Sequence, residues 1–93
     1  MISADSRPKL ASKARLRADK KTGRTLLIYP EAGLQLNATG AEVVRRCTGE
    51  HTLAAIVDDL CLMFSSASRE VIEREVSDLI KRLADRGLIV VSP

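Results

Sequence analysis

The residues best suited to chemistry in this 93-residue chain are two cysteines, one histidine and a pair of adjacent aspartates. His51 lies between Glu50 and Thr52 and lacks any evident partner of the kind that a general base needs. Asp58 and Asp59 are neighbours in a stretch with helical spacing, where side chains at i and i+1 do not converge on one point. The residues therefore predict no acid–base pair, and we expect the chain not to be an enzyme.

The two thiols also lack the spacing of a metal or redox site. Cys47 and Cys61 do not form a Cys-x-x-Cys pair, and together with the single His51 they are too few for a zinc site. The sequence has no glycine-rich phosphate loop. Free thiols in a reducing compartment are usually small buried hydrophobes. We therefore expect structural cysteines, no metal, no cofactor and a cytoplasmic location.

Hydropathy argues against a membrane. The longest apolar runs, at 60–64 and 88–91, are far shorter than the ~20 residues that cross a bilayer. Residues 1–21 are basic but contain no apolar stretch of the signal-peptide type. We expect neither a membrane span nor an export signal.

The charge is divided between two unlike parts of the chain. The formal net charge is +3, from 15 Lys and Arg against 12 Asp and Glu. Residues 1–24 carry +6 and the remainder carries −3. A small basic chain suggests nucleic acid as a partner. Tyr29 and Phe64 are the only aromatic residues, however, which argues against stacking on bases.

The first third of the chain predicts an arm and a small sheet. Residues 1–12 lack apolar periodicity and are expected to form a mobile arm, which leaves 13–93 as a single domain. Alternation over 14–18 and β-prone residues over 24–29 predict two strands, and 34–37 a short third one. Turns of a few residues join them, so we expect a three-stranded antiparallel meander.

The rest of the chain has helical spacing and recognisable caps. Thr39 and Glu42 have the spacing of a capping box, and Asn37 is a competing cap for the same helix. Thr52 and Ser68 are the expected caps of the second and third helices.

The third helix is expected over 69–86, and 88–91 form either a terminal strand or an apolar tail. The order of the elements predicts an α+β, winged-helix-like fold, in which a three-stranded antiparallel sheet is followed by a three-helix bundle.

A winged helix raises the alternative of a DNA-binding transcription regulator. The third helix contains five basic and five acidic residues, whereas a recognition helix needs net positive charge. Arg74 with Asp78, and Asp78 with Arg82, have the i,i+4 spacing of ion pairs. Nucleic acid is therefore not the expected partner, although the basic arm leaves nonspecific binding open.

A peptide-binding module accounts for more of the pattern. The third strand would leave one backbone edge free, and extended peptides add to such edges. At ~100° per residue, Val71, Glu75, Asp78 and Arg82 fall on one flank of the third helix. This flank could wall a groove with the strand as its floor, and an ordinary exposed helix flank explains the same pattern equally well.

Five short segments, taken in order, carry a resemblance over about residues 16–89. They are Pro30-Glu-Ala-Gly33, Leu36-Asn-Ala-Thr-Gly40, Cys47-Thr-Gly49, Thr52-Leu-Ala-Ala-Ile56 and Leu83-Ala-Asp-Arg-Gly-Leu-Ile89. No single segment is specific, but their order and spacing resemble the PqqD family of pyrroloquinoline quinone (PQQ) biosynthesis. That family is related to the precursor-peptide recognition elements of ribosomally made, modified peptides. Its members most often have Cys-Asp-Gly where this chain has Cys47-Thr-Gly49, a departure that affects the turn more than the groove.

The resemblance implies a peptide chaperone. Members of the family bind the ribosomal precursor peptide PqqA, deliver it to the radical SAM enzyme PqqE and hold no cofactor themselves. In related recognition elements the leader peptide adds a strand beside the third strand and packs on the third helix. The implied peptide-binding residues here are Gly33, Leu34, Gln35, Leu36 and Asn37 on the strand and Val71, Glu75, Asp78 and Arg82 on the helix.

The implied role suggests one substitution and leaves several points open. A proline at Leu34 is expected to remove a donor from the open edge of the strand. A homodimer formed by exchange of the N-terminal hairpin stays open. So do the orientation of the peptide, the surface that contacts PqqE and the role of the basic arm.

Overall fold

A computed structural model describes residues 2–92, which form five strands and three helices. None of these helices combines the length and apolar character needed to cross a membrane. The elements are β1 (Arg7–Leu10), β2 (Arg15–Ala18), β3 (Thr25–Tyr29), β4 (Ala32–Leu36), α1 (Ala38–Arg45), α2 (Leu53–Met63), α3 (Arg69–Asp85) and β5 (Ile89–Ser92). Strands β2, β3 and β4 form an antiparallel sheet in that order and precede the helices, so the predicted α+β fold is confirmed.

Strand β1 corrects the prediction of an arm over residues 1–12. It pairs antiparallel with β5, which decides between the two alternatives for the C-terminal segment in favour of a strand. The backbone oxygen of Pro8 accepts from the amide of Gly49 at 3.0 Å, and Ser6 and Pro8 are buried. Residues 7–10 are thus built into the domain. Their side chains do alternate, with Arg7 and Lys9 exposed and Pro8 and Leu10 buried or partly buried, but the run is only four residues long.

All three helix caps are among those predicted, and for α1 the structure selects Asn37 from the two alternatives. Asn37, Thr52 and Ser68 each accept, through the side chain, from the amide three residues later, at 2.7, 3.1 and 3.2 Å. The capping box on Thr39 and Glu42 is wrong, because α1 begins one residue after Asn37 and this asparagine takes the cap position. The end of β4 and the start of α1 are therefore joined by a single residue.

One face of the β2–β3–β4 sheet packs against the helices. Leu27 and Leu36 point to this face and belong to the same buried cluster as the inner stripes of α1, α2 and α3. The helical side chains that are almost fully buried there are Val43, Val44, Ile56, Leu60, Ile72, Val76, Ile80 and Leu83. Because side chains alternate along a strand, this packing fixes which residues of β4 face the core and which face away from it.

The ion pairs found among residues 2–92 are not the two that the i,i+4 spacing of Asp78 on α3 predicts. Arg46, which directly follows α1, pairs with Glu42 and with Asp59 of α2, at 2.9 and 3.2 Å. Arg69 pairs with Asp58 and Glu73, and Arg45 pairs with Glu42. Neither of the ion pairs expected of Asp78 is among them, so the charged flank of α3 keeps its side chains available to a ligand.

Candidate functional site

The hydrogen-bonding pattern of the sheet decides which backbone groups of the edge strand β4 face outward. Just beyond the β2–β3 pairing, the amide of Asp19 donates to the carbonyl oxygen of Arg24 at 2.8 Å. Hydrogen-bonded and non-hydrogen-bonded residues alternate along an antiparallel pair. Leu26 and Ile28 therefore bond to β2, and Leu27 bonds to β4.

The same alternation continues into β4. Leu27 lies opposite Leu34, so Leu34 directs its N–H and C=O groups toward β3. Gly33 and Gln35 direct theirs to the open edge, where each offers one donor and one acceptor. The expectation that Leu34 supplies a donor to the open edge is wrong. The direction of its N–H group is set by the register of β4 against β3, which the local sequence does not show.

A groove of about 420 Å³ runs beside this edge, between β4, α1 and α3. Leu34 and Leu36 supply apolar surface from the strand, and Leu79 supplies it from α3. The predicted site residues that line the groove are Leu34, Gln35, Leu36, Asn37, Glu75, Asp78 and Arg82. The structure therefore brings the strand and the helix flank together at one groove, as the interpretation with the strand as its floor expects.

Two of the predicted site residues do not line this groove. Val71 is 44% exposed and lies one helical turn before Glu75, beyond the N-terminal end of the groove. Gly33 has no side chain to contribute, and its part is the outward backbone N–H and C=O on the open edge. Gly33 thus belongs to the surface that an added strand would contact, and Val71 does not.

Leu79, Gly40, Thr39 and Val43 also line the groove, although the sequence analysis did not assign them to it. A Cβ atom at Gly40 would lie 3.5 Å from Cδ2 of Leu79 and 3.1 Å from Oδ1 of Asn37. The tight contact is the one with Asn37, so the glycine leaves room for the side chain that caps α1, whereas the contact with Leu79 would be an ordinary one. A glycine within the first turn of a helix is a poor helix former, and that is the sequence signal that could have revealed it.

The charges of the groove have a direction along α3. Glu75, Asp78 and Arg82 are exposed and take part in no ion pair among residues 2–92. With a rise of about 1.5 Å per residue, Glu75 and Arg82 lie roughly 10 Å apart along the helix axis. One end of the groove is thus acidic and the other cationic, which suits a chain segment carrying charges of both signs.

A second hollow, of about 930 Å³, continues from the groove at the end of β4. Gln35, Leu36 and Asn37 line both. Beyond them, Met63 and Phe64 at the end of α2 provide apolar surface. An extended chain bound along β4 would therefore leave the groove into a concave surface rather than into bulk solvent.

The described residues bring together no catalytic constellation. Within 2–92, no group of three or more His, Cys, Asp and Glu side chains is placed to hold a metal ion. Cys47 is buried, its Sγ donates to the carbonyl of Val43 at 3.2 Å, and burial raises the pKa of its thiol to about 12. A thiol with so high a pKa is a poor nucleophile near neutral pH. The arrangement is suited to binding.

Comparison with known sequences agrees with this architecture. The family model for "Coenzyme PQQ synthesis protein D (PqqD)" matches residues 24–89, a range that includes β3, β4 and all three helices. A protein of Rhodopseudomonas palustris strain HaA2 named PqqA binding protein is 34% identical over 88 residues, which cover 95% of this chain and 85% of that protein. A PqqA binding protein of Methylococcus capsulatus is 27% identical, with 95% and 91% covered.

Comparison with solved structures gives the same result. The solution structure of the PqqD truncation of Methylobacterium extorquens PqqCD, described as a stand-alone recognition element for ribosomally synthesised, modified peptides, superposes with a TM-score of 0.76. It is 25% identical and covers 97% of this chain and 95% of its own. Lasso peptide synthetase B1, solved with a leader peptide, shares the fold at a TM-score of 0.70, 21% identity and 90% and 98% coverage. The resemblance seen in the sequence is confirmed, and the chain belongs to the PqqD family.

Proposed function

We propose that this protein is a peptide chaperone of PQQ biosynthesis that binds the precursor peptide PqqA by strand addition at the open edge of β4. The observation that carries the proposal is the coincidence of outward backbone groups, at Gly33 and Gln35, with an apolar groove on the same strand. Support also comes from the relatives, which are named PqqA binding proteins. The solved relative from Methylobacterium is described as a peptide recognition element.

Strand addition accounts for both kinds of surface. The bound segment would exchange backbone hydrogen bonds with Gly33 and Gln35, which supplies affinity independent of side chains. Alternate side chains of that segment would point into the groove, where Leu79 provides apolar contact. Basic side chains would be attracted to Asp78 and acidic ones to Arg82, so the charges of the groove favour one register and orientation of the peptide.

In the proposed role the protein delivers the peptide and catalyses no reaction on it. The chaperone would hold PqqA and present it to the radical SAM enzyme PqqE in the cytoplasm, and the reactive groups would belong to that enzyme. The described residues are suited to this division, because the groove is lined by Leu34, Leu36 and Leu79 and by charged side chains held on one face of α3.

Amide exchange and chemical shifts measured during titration with synthetic PqqA test this proposal. Binding should shift the amide resonances of Gly33, Gln35 and Arg82 and should slow exchange at Gly33 and Gln35, whose N–H groups gain acceptors. The amide of Leu34 is an internal control, because it is already bonded to β3 and should exchange slowly with or without peptide. Saturable binding that leaves these amides unshifted, or no binding at all, would overturn the proposal.

A further inference from the structure

The outer face of the sheet, which points away from the core, has an apolar pair with two arginines on its β2 side. Leu26 and Ile28 of β3 lie there, only partly buried, and neither is packed against the buried cluster. In the β2–β3 register, Arg17 is opposite Leu26 and Arg15 is opposite Ile28. Since directly opposed residues of neighbouring strands share a face, the two arginines flank the apolar pair.

The cations of this face have no acidic partners in residues 2–92. Every ion pair of this part of the chain lies on or between helices, and none includes Arg15, Arg17 or Arg24. Asp19, the acid closest in sequence, is occupied by the amide of Lys21 and the hydroxyl of Thr22, each at 3.0 Å. Arg15, Arg17 and Arg24 therefore form no ion pair among the described residues, and Asp19 attracts Arg17 only from beyond ion-pair distance.

The open edge of β2 adds a hollow of about 530 Å³ next to this face. Arg15, Arg17 and Ile28 line it from the outer face, and Leu16 and Tyr29 line it from the core side. Apolar side chains beside arginines are typical of protein–protein interfaces. Binding of nucleic acid phosphates would account for the arginines but not for the partly buried apolar pair.

We propose that this outer face is a docking surface for a folded protein that presents acidic side chains around an apolar patch, namely the enzyme that receives the peptide. The inference rests on the proposed function, because it takes β4 as the edge that the peptide extends. A strand added at Gln35 and Gly33 would continue the outer face, with its outward side chains next to Gln35 and Gly33 and about 10 Å from Leu26 and Ile28. The docked enzyme would then contact the chaperone and the peptide at the same time.

Charge reversal separates this surface from the groove. The double variant Arg15→Glu/Arg17→Glu changes only β2, on the far side of β3 from the peptide edge. Its affinity for synthetic PqqA should stay within about twofold of the unmodified protein. Its binding to reconstituted PqqE, measured with PqqA present, should weaken at least tenfold, on the order of the coupling energies of close charge pairs. Binding by the unmodified protein should also weaken as salt is raised.

A matched control is available on strand β1. Arg7→Glu/Lys9→Glu has the same change in charge at the same two-residue spacing, on exposed side chains of the other sheet. This control should bind PqqE as the unmodified protein does. If the glutamate pair on β2 impairs folding, Arg15→Gln/Arg17→Gln carries the same test with a smaller expected loss.

The outcomes distinguish the two proposals. Failure of every variant, and of the unmodified protein, to bind PqqA would overturn the proposed function. Normal PqqA binding with equal PqqE affinity for the unmodified protein and Arg15→Glu/Arg17→Glu would overturn only the docking surface. So would equal weakening by the β1 control. Tight binding of duplex DNA that is lost in the β2 variant, with PqqE binding unchanged, would assign the face to nucleic acid and overturn the proposal as well.

Discussion

A proline at position 35 removes one backbone donor from the open edge of β4 and leaves the pairing of β4 with β3 in place. Gln35 directs its N–H outward, while Leu34 and Leu36 carry the hydrogen bonds to β3. Proline is tolerated on edge strands where the N–H faces solvent, and the residue before it is held in the extended region that Leu34 already occupies. Gln35→Pro is therefore expected to fold.

The loss of affinity follows from the carbonyl that is left without a partner. In the proposed complex, one peptide C=O would accept from the Gln35 amide, and in the variant that oxygen would be covered without a donor. A buried polar group left unpaired costs about 1–3 kcal/mol. Since about 1.4 kcal/mol corresponds to a factor of ten, the Kd for PqqA should rise roughly 5- to 150-fold.

Two further variants isolate the cause. Gln35→Ala keeps the N–H and removes only the side chain, so its Kd should change little. Ala18→Pro makes the same backbone change on the open edge of β2, where Ala18 is in a non-hydrogen-bonded pair with Thr25, and PqqA binding should be unaffected. Calorimetric titration measures each Kd after thermal unfolding has shown that each variant is folded. A folded Gln35→Pro with unchanged affinity would refute the β4 assignment, and weakening by Ala18→Pro alone would move the peptide to β2.

The other predictions concern the thiols, one helix cap and one carboxylate. Iodoacetamide should alkylate the partly exposed Cys61 and spare Cys47, whose pKa burial raises to about 12; mass spectrometry with and without denaturant measures both, and rapid native labelling of Cys47 would contradict its burial. Asn37→Ala should lower the free energy of unfolding by ~1 kcal/mol and Tm by about 4–8 °C, while Asn37→Ser, which keeps a capping oxygen, should recover most of the loss in a thermal melt. A hydrogen bond from Arg46 holds the pKa of Glu42 below its usual 4.5, so the stability it contributes is present above pH 4.5 and is lost as the pH falls through the lower folded value. Arg46→Met should therefore reduce the decline of the urea midpoint below pH 4.5, and an unchanged acid dependence would exclude Glu42 as a contributor.

The sequence predicted the elements that are determined by residues close together in the chain. The caps at Thr52 and Ser68 and the stripes of α2 and α3 follow from side-chain chemistry within a few residues, as does the meander from β2 to β4. The pairing of β1 with β5 could not be predicted in this way, because its hydrogen bonds join the two ends of the chain. Residues 7–10 alternate charged and apolar side chains, but so short a run does not identify the strand with which it pairs.

The candidate site shows the same limit. The angular position of a residue on a helix is set by its number, so Glu75, Asp78 and Arg82 were placed together correctly. Leu34 was assigned to the open edge wrongly, because hydrogen-bond parity depends on register with β3, and a shift of one residue would reverse it. Gly40 was missed because its importance lies in the room that it leaves for the Asn37 cap and in its place in the groove wall, which only the packed structure shows.

On β4, the residues whose backbone groups face the open edge are also the ones whose side chains face away from the core. Gly33 and Gln35 open their backbone groups to the edge and belong to the outer face, whereas Leu34 and Leu36 bond to β3 and line the groove. A strand added at this edge would divide its side chains in the same manner. Every second one would be held between β4 and α3, and the others would extend the outer face beyond Gly33 and Gln35. The chaperone would therefore fix the register of the peptide with one half of its side chains and leave the other half accessible to the enzyme that modifies it.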